Sequence, residues 1–273
     1  MKIAAVQMVS GPSRDANLQQ ARALLRQAAQ AGAELVALPE YFSAMGLHDT
    51  DKLALAEPFG DGPAQQFLAQ AARELELWIV GGTVPLQAPT PDRVFNSSLV
   101  YAPDGRCTAR YDKIHLFRFE DADNHFDEAR TIAPGQQPVS AEVTDRSGGR
   151  WQLGLSVCYD LRFPELYRAH AGCDLLLVPS AFTYTTGRAH WQVLLRARAI
   201  ENQAYVLAPA QGGVHDGGRH TWGHSMLVDP WGEVLALQAQ GAGVVMGELQ
   251  RTRLAQVRAS LPALRHRVLG VAP

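Results

Sequence analysis

Apolar runs of strand length alternate with longer stretches of helical period along this chain. The run KIAAVQM, residues 2–8, reads as a strand, and residues 17–31 carry the three-to-four spacing of a helix with Asn17 at its N-cap. ELVALPE, residues 34–40, is a short buried strand; residues 63–75 form a helix that starts on Pro63. LWIVGGTVP and SSLVYAP continue as strands, and Pro103-Asp104-Gly105 is a turn. The second half keeps the same rhythm: a strand ending at Cys158, a helix from about Pro164, the strand DLLLVP, a helix over residues 189–202, then the strands AYVLAPA and SMLVDP. Alternation of this kind predicts an α/β protein.

The rhythm also repeats residue by residue. AGAELVALPEYF aligns without gaps on AGCDLLLVPSAF, which places Pro39 on Pro179, 140 positions further on. Ser98, Pro103 and Gly105 recur as Ser225, Pro230 and Gly232, 127 positions on. Two landmarks in one order predict two similar halves, each a sheet with helices on one face. Two such sheets packed face to face bury near-continuous apolar strands on both sides. The polar stretch of residues 119–130 is the candidate loop over a site.

In open α/β sheets, ligands bind beyond the carboxyl ends of strands. Three such ends carry reactive groups: ELVALPE ends on Glu40, TARYDK on Lys113 and QLGLSVC on Cys158. A thiolate is a strong nucleophile but needs a base or cation beside it, a carboxylate can shuttle the proton, and an ammonium can hold an oxyanion. A helix beginning near Pro164 would add positive potential close to the sulfur. Taken alone, Cys158 also fits a small core residue and Lys113 a surface one. His115, His125, His190 and His224 are alternative bases for the thiol, and HTWGH lacks the glutamate of a helical metal motif.

Composition narrows the field. The chain has 273 residues, 47% hydrophobic and 19% charged, with a net charge of −2, so nothing supplies the basic surface that nucleic acid requires. Three cysteines without C-x-x-C spacing point away from a disulfide framework or structural zinc and toward a reducing compartment. No apolar run reaches the roughly 20 residues of a membrane helix. The expectation is a cytoplasmic protein with no membrane or nucleic-acid partner.

LPEYF, YDKIHLF and GLSVCYDLRFPELYR resemble the three signature segments of the nitrilase, or carbon–nitrogen hydrolase, superfamily. The likeness continues through residues 179–206 and 222–233 to LPALRHR, so it covers nearly the whole chain as one domain, 1–273. It implies a four-layer α-β-β-α sandwich of two similar halves, assembled as a homodimer or larger homo-oligomer. It implies Glu40 as general base and acid, Lys113 as oxyanion stabiliser and Cys158 as nucleophile, with the Tyr159 N–H completing the oxyanion hole. A second glutamate lies before a Pro-Gly in that family; in HFDEARTIAPG it is Glu128, orienting Lys113 and the substrate. No metal or organic cofactor is implied, and the partner is a small-molecule amide.

Within the superfamily the likeness is to the branch of deaminated glutathione amidase, with ω-amidase as the neighbouring alternative and N-carbamoyl or nitrile hydrolysis beyond it. The first would yield α-ketoglutarate and cysteinylglycine; the second acts on α-ketoglutaramate. Both substrates carry a keto-acid carboxylate, for which Arg162 is the candidate counter-ion and Thr185 and Thr186 candidate hydroxyl donors. Arg162 could instead pair with Asp160 or Glu165. Residues 119–125 are the candidate specificity loop.

Overall fold

The computed structural model describes residues 1–120 and 125–269. The first half runs β1 (Lys2–Gln7), α1 (Arg14–Gln30), β2 (Leu35–Ala37), α2 (Asp51–Ala54), α3 (Pro63–Leu75), β3 (Trp78–Val80), β4 (Val84–Gln87), β5 (Val94–Tyr101) and β6 (Cys107–Asp112). A hairpin of β7 (Arg118–Glu120) and β8 (His125–Asp127) follows. The second half runs β9 (Ser140–Thr144), β10 (Arg150–Leu155), α4 (Pro164–Ala169), β11 (Leu175–Leu177), α5 (Tyr184–Asn202), β12 (Tyr205–Ala208), β13 (Gly212–Val214), β14 (His220–Trp222), β15 (Ser225–Val228) and β16 (Val234–Gln238). The strand β17 (Gly243–Glu248) and helix α6 (Arg251–Ser260) close the chain.

The two large sheets have matching plans. In the first, β1, β2 and β3 are parallel, β5 runs antiparallel to β3, and β17 flanks β1. In the second, β10, β11 and β12 are parallel, β15 runs antiparallel to β12, and β9 flanks β10. The sequence repeat therefore superimposes β2 on β11 and β5 on β15, as the two landmarks predict.

Side-chain alternation sorts the layers. Ile3, Ala5, Leu35, Ala37 and Val80 point into a core shared with Leu153, Leu175 and Leu207 of the second sheet. Ala4, Val6, Val36, Leu38 and Ile79 point the other way, onto Leu25 of α1 and Leu68 of α3. On the far side α5 packs on β12 and β15 through Trp191, Leu195 and Ala199. Burying both faces of each parallel strand explains why these strands read as unbroken apolar runs. The result is the four-layer α-β-β-α sandwich.

Several boundaries differ from the sequence reading. Helix α1 begins three residues before Asn17: Ser13 is its N-cap, accepting from the Ala16 N–H. Asn17 is buried instead, donating to the carbonyls of Gly11 and Ser43. LWIVGGTVP is two strands, broken where Gly82 takes φ 52°. Helix α5 starts at Tyr184, before Ala189, because Gly187 continues the helix where a side chain would collide with Trp222. No helix among the described residues is long and apolar enough to cross a membrane.

Candidate active site

The ends of β2, β6 and β10 meet at one edge of the sandwich. Glu40 follows β2, Lys113 follows β6 directly, and Cys158 stands three residues beyond β10. Close backbone approaches fix the first two ends. A side chain at Gly82 would lie 2.1 Å from the Pro39 carbonyl oxygen, and one at Gly135 2.0 Å from that of Asp112. The Gly135 N–H donates to the Lys113 carbonyl. Cys158 opens the short 3₁₀ helix Cys158–Arg162 with φ 51°, and Tyr41 beside Glu40 has φ 56°. Left-handed backbone at non-glycine residues is strained and persists only where its surroundings enforce it.

Lys113 is fully buried, and its Nζ donates to Glu40 Oε1 at 2.9 Å and to Glu128 Oε1 and Oε2 at 3.0 and 2.8 Å. Glu40 also accepts from Asn96 Nδ2 and, through Oε2, from the Ala181 N–H, both at 2.9 Å. Glu128 accepts in addition from the Tyr41 hydroxyl at 3.0 Å and the Phe117 N–H at 2.7 Å. Burial alone would push the Glu128 carboxyl up, but the Lys113 charge and these donors hold it below the usual glutamate range. Burial likewise opposes the Lys113 charge, and Glu128 and Glu40 more than offset it, keeping the ammonium protonated. The Cys158 thiol is pushed well up, first by burial and then by the Glu40 carboxylate, while Lys113 pulls it back in part.

Glu40, Glu128 and Cys158 line one cleft of about 280 Å³ together with Tyr159, Arg162 and Thr186. Among the described residues nothing accepts the Tyr159 N–H, which lies in the first turn after the sulfur. Behind the nucleophile, fully buried Asp160 accepts from the Tyr111 hydroxyl, the Val157 N–H and the His115 N–H, and its Oδ1 lies 2.7 Å from His115 Nδ1.

A family model described as carbon-nitrogen hydrolase matches residues 2–259. The chain belongs to the carbon–nitrogen hydrolase family. It is 45% identical over 97% of its length to a deaminated glutathione amidase of Synechocystis, covering 97% of that protein. It is 37% identical to the omega-amidase NIT2-A of Xenopus laevis, over 97% of this chain and 94% of that one. The crystal structure of the C. elegans NitFhit protein superimposes with a TM-score of 0.88 at 36% identity. That match covers 97% of this chain and 64% of the longer NitFhit chain.

Within this carbon–nitrogen hydrolase the remaining expected residues separate. Thr186 is buried and lines the Cys158 cleft, its hydroxyl 2.8 Å from that of Thr183. Thr185 is a correction: it is exposed and lines only an outer pocket, because helix α5 turns it outward while Thr183 and Thr186 face in. Arg162 pairs with neither Asp160 nor Glu165. Its guanidinium lies over the rings of Tyr159 and Phe182 and donates to His190 Nδ1 at 3.2 Å. In the chain the 3₁₀ helix Cys158–Arg162 stands between the sulfur and the start of α4.

None of His115, His190 and His224 lines the cleft. His115 belongs to Asp160, and His224 stacks on Trp222; the His125 side chain lies outside the described residues. Of the expected specificity loop, residues 121–124 also lie outside them. Phe119 and Phe126, on either side, line the outer pocket. Among the described residues no group of three or more His, Cys, Asp or Glu is placed to hold a metal ion.

Sequence reasoning missed Tyr41, Asn96 and Arg219. Asn96 left a signal, as a polar residue in the strand β5 that proves buried. Arg219 left none: it reaches the site from the loop between β13 and β14.

Proposed function

We propose that the protein is an amidase that cleaves an amide of an α-keto acid, deaminated glutathione foremost, by nucleophilic catalysis at Cys158. The observation that carries the reading is the meeting of Glu40, Lys113, Glu128 and Cys158 around one cleft that also contains an arginine without a carboxylate partner among the described residues, Arg162. Its sequence likeness to the named amidases supports the same reading.

In this scheme Glu40 takes the thiol proton as the Cys158 sulfur bonds to the amide carbon. The carbonyl oxygen becomes an oxyanion, held by the Tyr159 N–H and by a Lys113 N–H released from one of its two contacts with Glu128. Collapse breaks the carbon–nitrogen bond, and Glu40 hands its proton to the departing amine. The thioester is then opened by a water that gives a proton to Glu40. The acid leaves, and the sulfur recovers its proton from Glu40. The sum is amide plus water giving acid plus amine, with no electron transfer. Arg162 holds the keto-acid carboxylate, with Thr183 and Thr186 as hydroxyl partners. Glu128 keeps Lys113 charged and placed.

The three cysteines are free thiols, which supports the cytoplasm as the compartment. The second reading, ω-amidase, differs in the leaving group, and its support is the likeness to NIT2-A. The test is a panel of deaminated glutathione, α-ketoglutaramate, N-carbamoyl amino acids and simple nitriles, compared by kcat/KM. Deaminated glutathione leading the panel is the expected result; a nitrile or carbamoyl compound leading it refutes the substrate. Replacing Cys158 by Ala should abolish turnover and any acyl adduct seen by mass spectrometry.

A further inference from the structure

Past Glu128 the Cys158 cleft adjoins a second, solvent-open cavity, sharing Phe117, Glu128 and Arg219 with it. Its inner wall is apolar, formed by Leu55, Pro85, Val94 and Ile132. Two cations face it. Lys52 Nζ donates to Thr131 Oγ1 at 3.1 Å and makes no ion pair among the described residues. Among the described residues Arg219 donates hydrogen bonds only to Met45 Sδ at 3.6 Å and the Ala181 carbonyl at 3.4 Å, and its buried Nε has no hydrogen-bond partner there. Its guanidinium lies over the rings of Tyr41 and Phe126. Three carboxylates also line the cavity: Glu128 is held by Lys113, Asp127 accepts from the Ala129 N–H, and Asp49, exposed at the rim, adds its charge near Lys52.

The position of Glu40 gives this cavity a direction. The acid that protonates the departing nitrogen must stand beside it. Asn96, which donates to Glu40, and Tyr41, next to Glu40 in the chain, both line the second cavity. The amine side of the scissile bond therefore faces this space, and the acyl side faces Arg162. Ammonia needs no such room, and the space beyond Glu128 opens to solvent, so a larger leaving group can extend through it.

We propose that this cavity is a leaving-group subsite for an amine that bears a carboxylate, with Lys52 and Arg219 as its counter-ions. The proposal rests on the amidase reading above and extends it: the acyl carboxylate is held on one side of Cys158 and the amine's carboxylate on the other. A substrate with both anions is clamped across the sulfur, and a simple primary amide uses half the site. Lys52 and Arg219 thus act as specificity determinants, favouring a peptide-like leaving group over ammonia.

The binding test needs no turnover. Calorimetry on the Cys158→Ala protein, in reductant, compares cysteinylglycine with its C-terminal amide, which lacks the carboxylate. The acid should bind about tenfold more tightly or better. That preference should collapse toward unity in Lys52→Met and in Arg219→Gln and persist in Lys52→Arg, which keeps the charge. Equal binding of acid and amide, or binding of neither, overturns the subsite.

A kinetic arm reads the same contacts. The kcat/KM ratio of deaminated glutathione to α-ketoglutaramate should fall about tenfold in Lys52→Met. An unchanged ratio overturns the assignment of Lys52. If the unaltered enzyme cleaved neither amide, the substrate reading would fall, while the calorimetry would still decide the subsite.

Discussion

At Cys158, burial and the neighbouring Glu40 carboxylate both work against ionisation, and the Lys113 charge offsets them only in part. This raised pKa favours a thiol at rest, and in the proposed scheme Glu40 takes its proton as the substrate is attacked. The ultraviolet thiolate absorbance of the protein at neutral pH should accordingly match that of Cys158→Ala; a clear excess in the unaltered protein would contradict a base-assisted attack.

Lys113 poses the opposite problem, a buried charge that must not lose its partners. Lys113→Met would leave two buried carboxylates uncompensated, a loss of about 3–5 kcal/mol in denaturant unfolding. Linkage gives the pH dependence. The folded-state pKa of Glu128 is depressed, so its contribution is complete above the ordinary glutamate value of about 4.3 and is lost as pH falls through the folded value. The stability gap between the unaltered protein and Glu128→Gln should therefore narrow on acidification below about pH 4. Lys113 has a raised folded pKa, so its contribution is present below the ordinary lysine value and disappears only in strong alkali.

Among the elements, strand ends do the positioning, and glycine permits it. Gly82 carries φ 52° and touches the Pro39 carbonyl one residue before Glu40. Gly82→Ala adds a methyl group against backbone that cannot move aside, and it does so in a left-handed conformation. The expected loss is about 1–3 kcal/mol of stability, with a disproportionate drop in kcat because Glu40 is displaced. Equal kcat in a folded Gly82→Ala protein would detach this turn from the chemistry.

Elements were legible where burial alone decides them. The parallel strands and α3 lie where the apolar runs put them, since residues buried on both faces leave no choice. What escaped was local: GG inside an apolar run reads as strand until Gly82 bends it, and the helix expected from residue 189 begins at Tyr184, with Gly187 packed against Trp222. Of the candidate site, Glu40, Lys113, Glu128 and Cys158, which the fold brings together, were readable because each lies in a recognisable motif. Arg219 and Lys52 were not, since only tertiary folding brings their loop and short helix to the cavity beside the cleft. Thr185 was misplaced because a register of one residue on a helix turns a side chain about 100°.

For the whole molecule, the two sheets share a plan but not a chemistry. Pro39 and Pro179 are counterparts, yet the residue after the first is Glu40 and after the second is Ser180, whose hydroxyl donates to the Val178 carbonyl. The neighbour of that serine reaches across: the Ala181 N–H donates to Glu40. Glu40 and Lys113 thus come from one repeat and Cys158 from the other. The last strand, β17, crosses back to lie beside β1, tying the second repeat into the first sheet. A chain severed in the linker near Gln136 should accordingly give two inert pieces that regain amidase activity only when co-folded, since each lobe holds an incomplete half of the reaction.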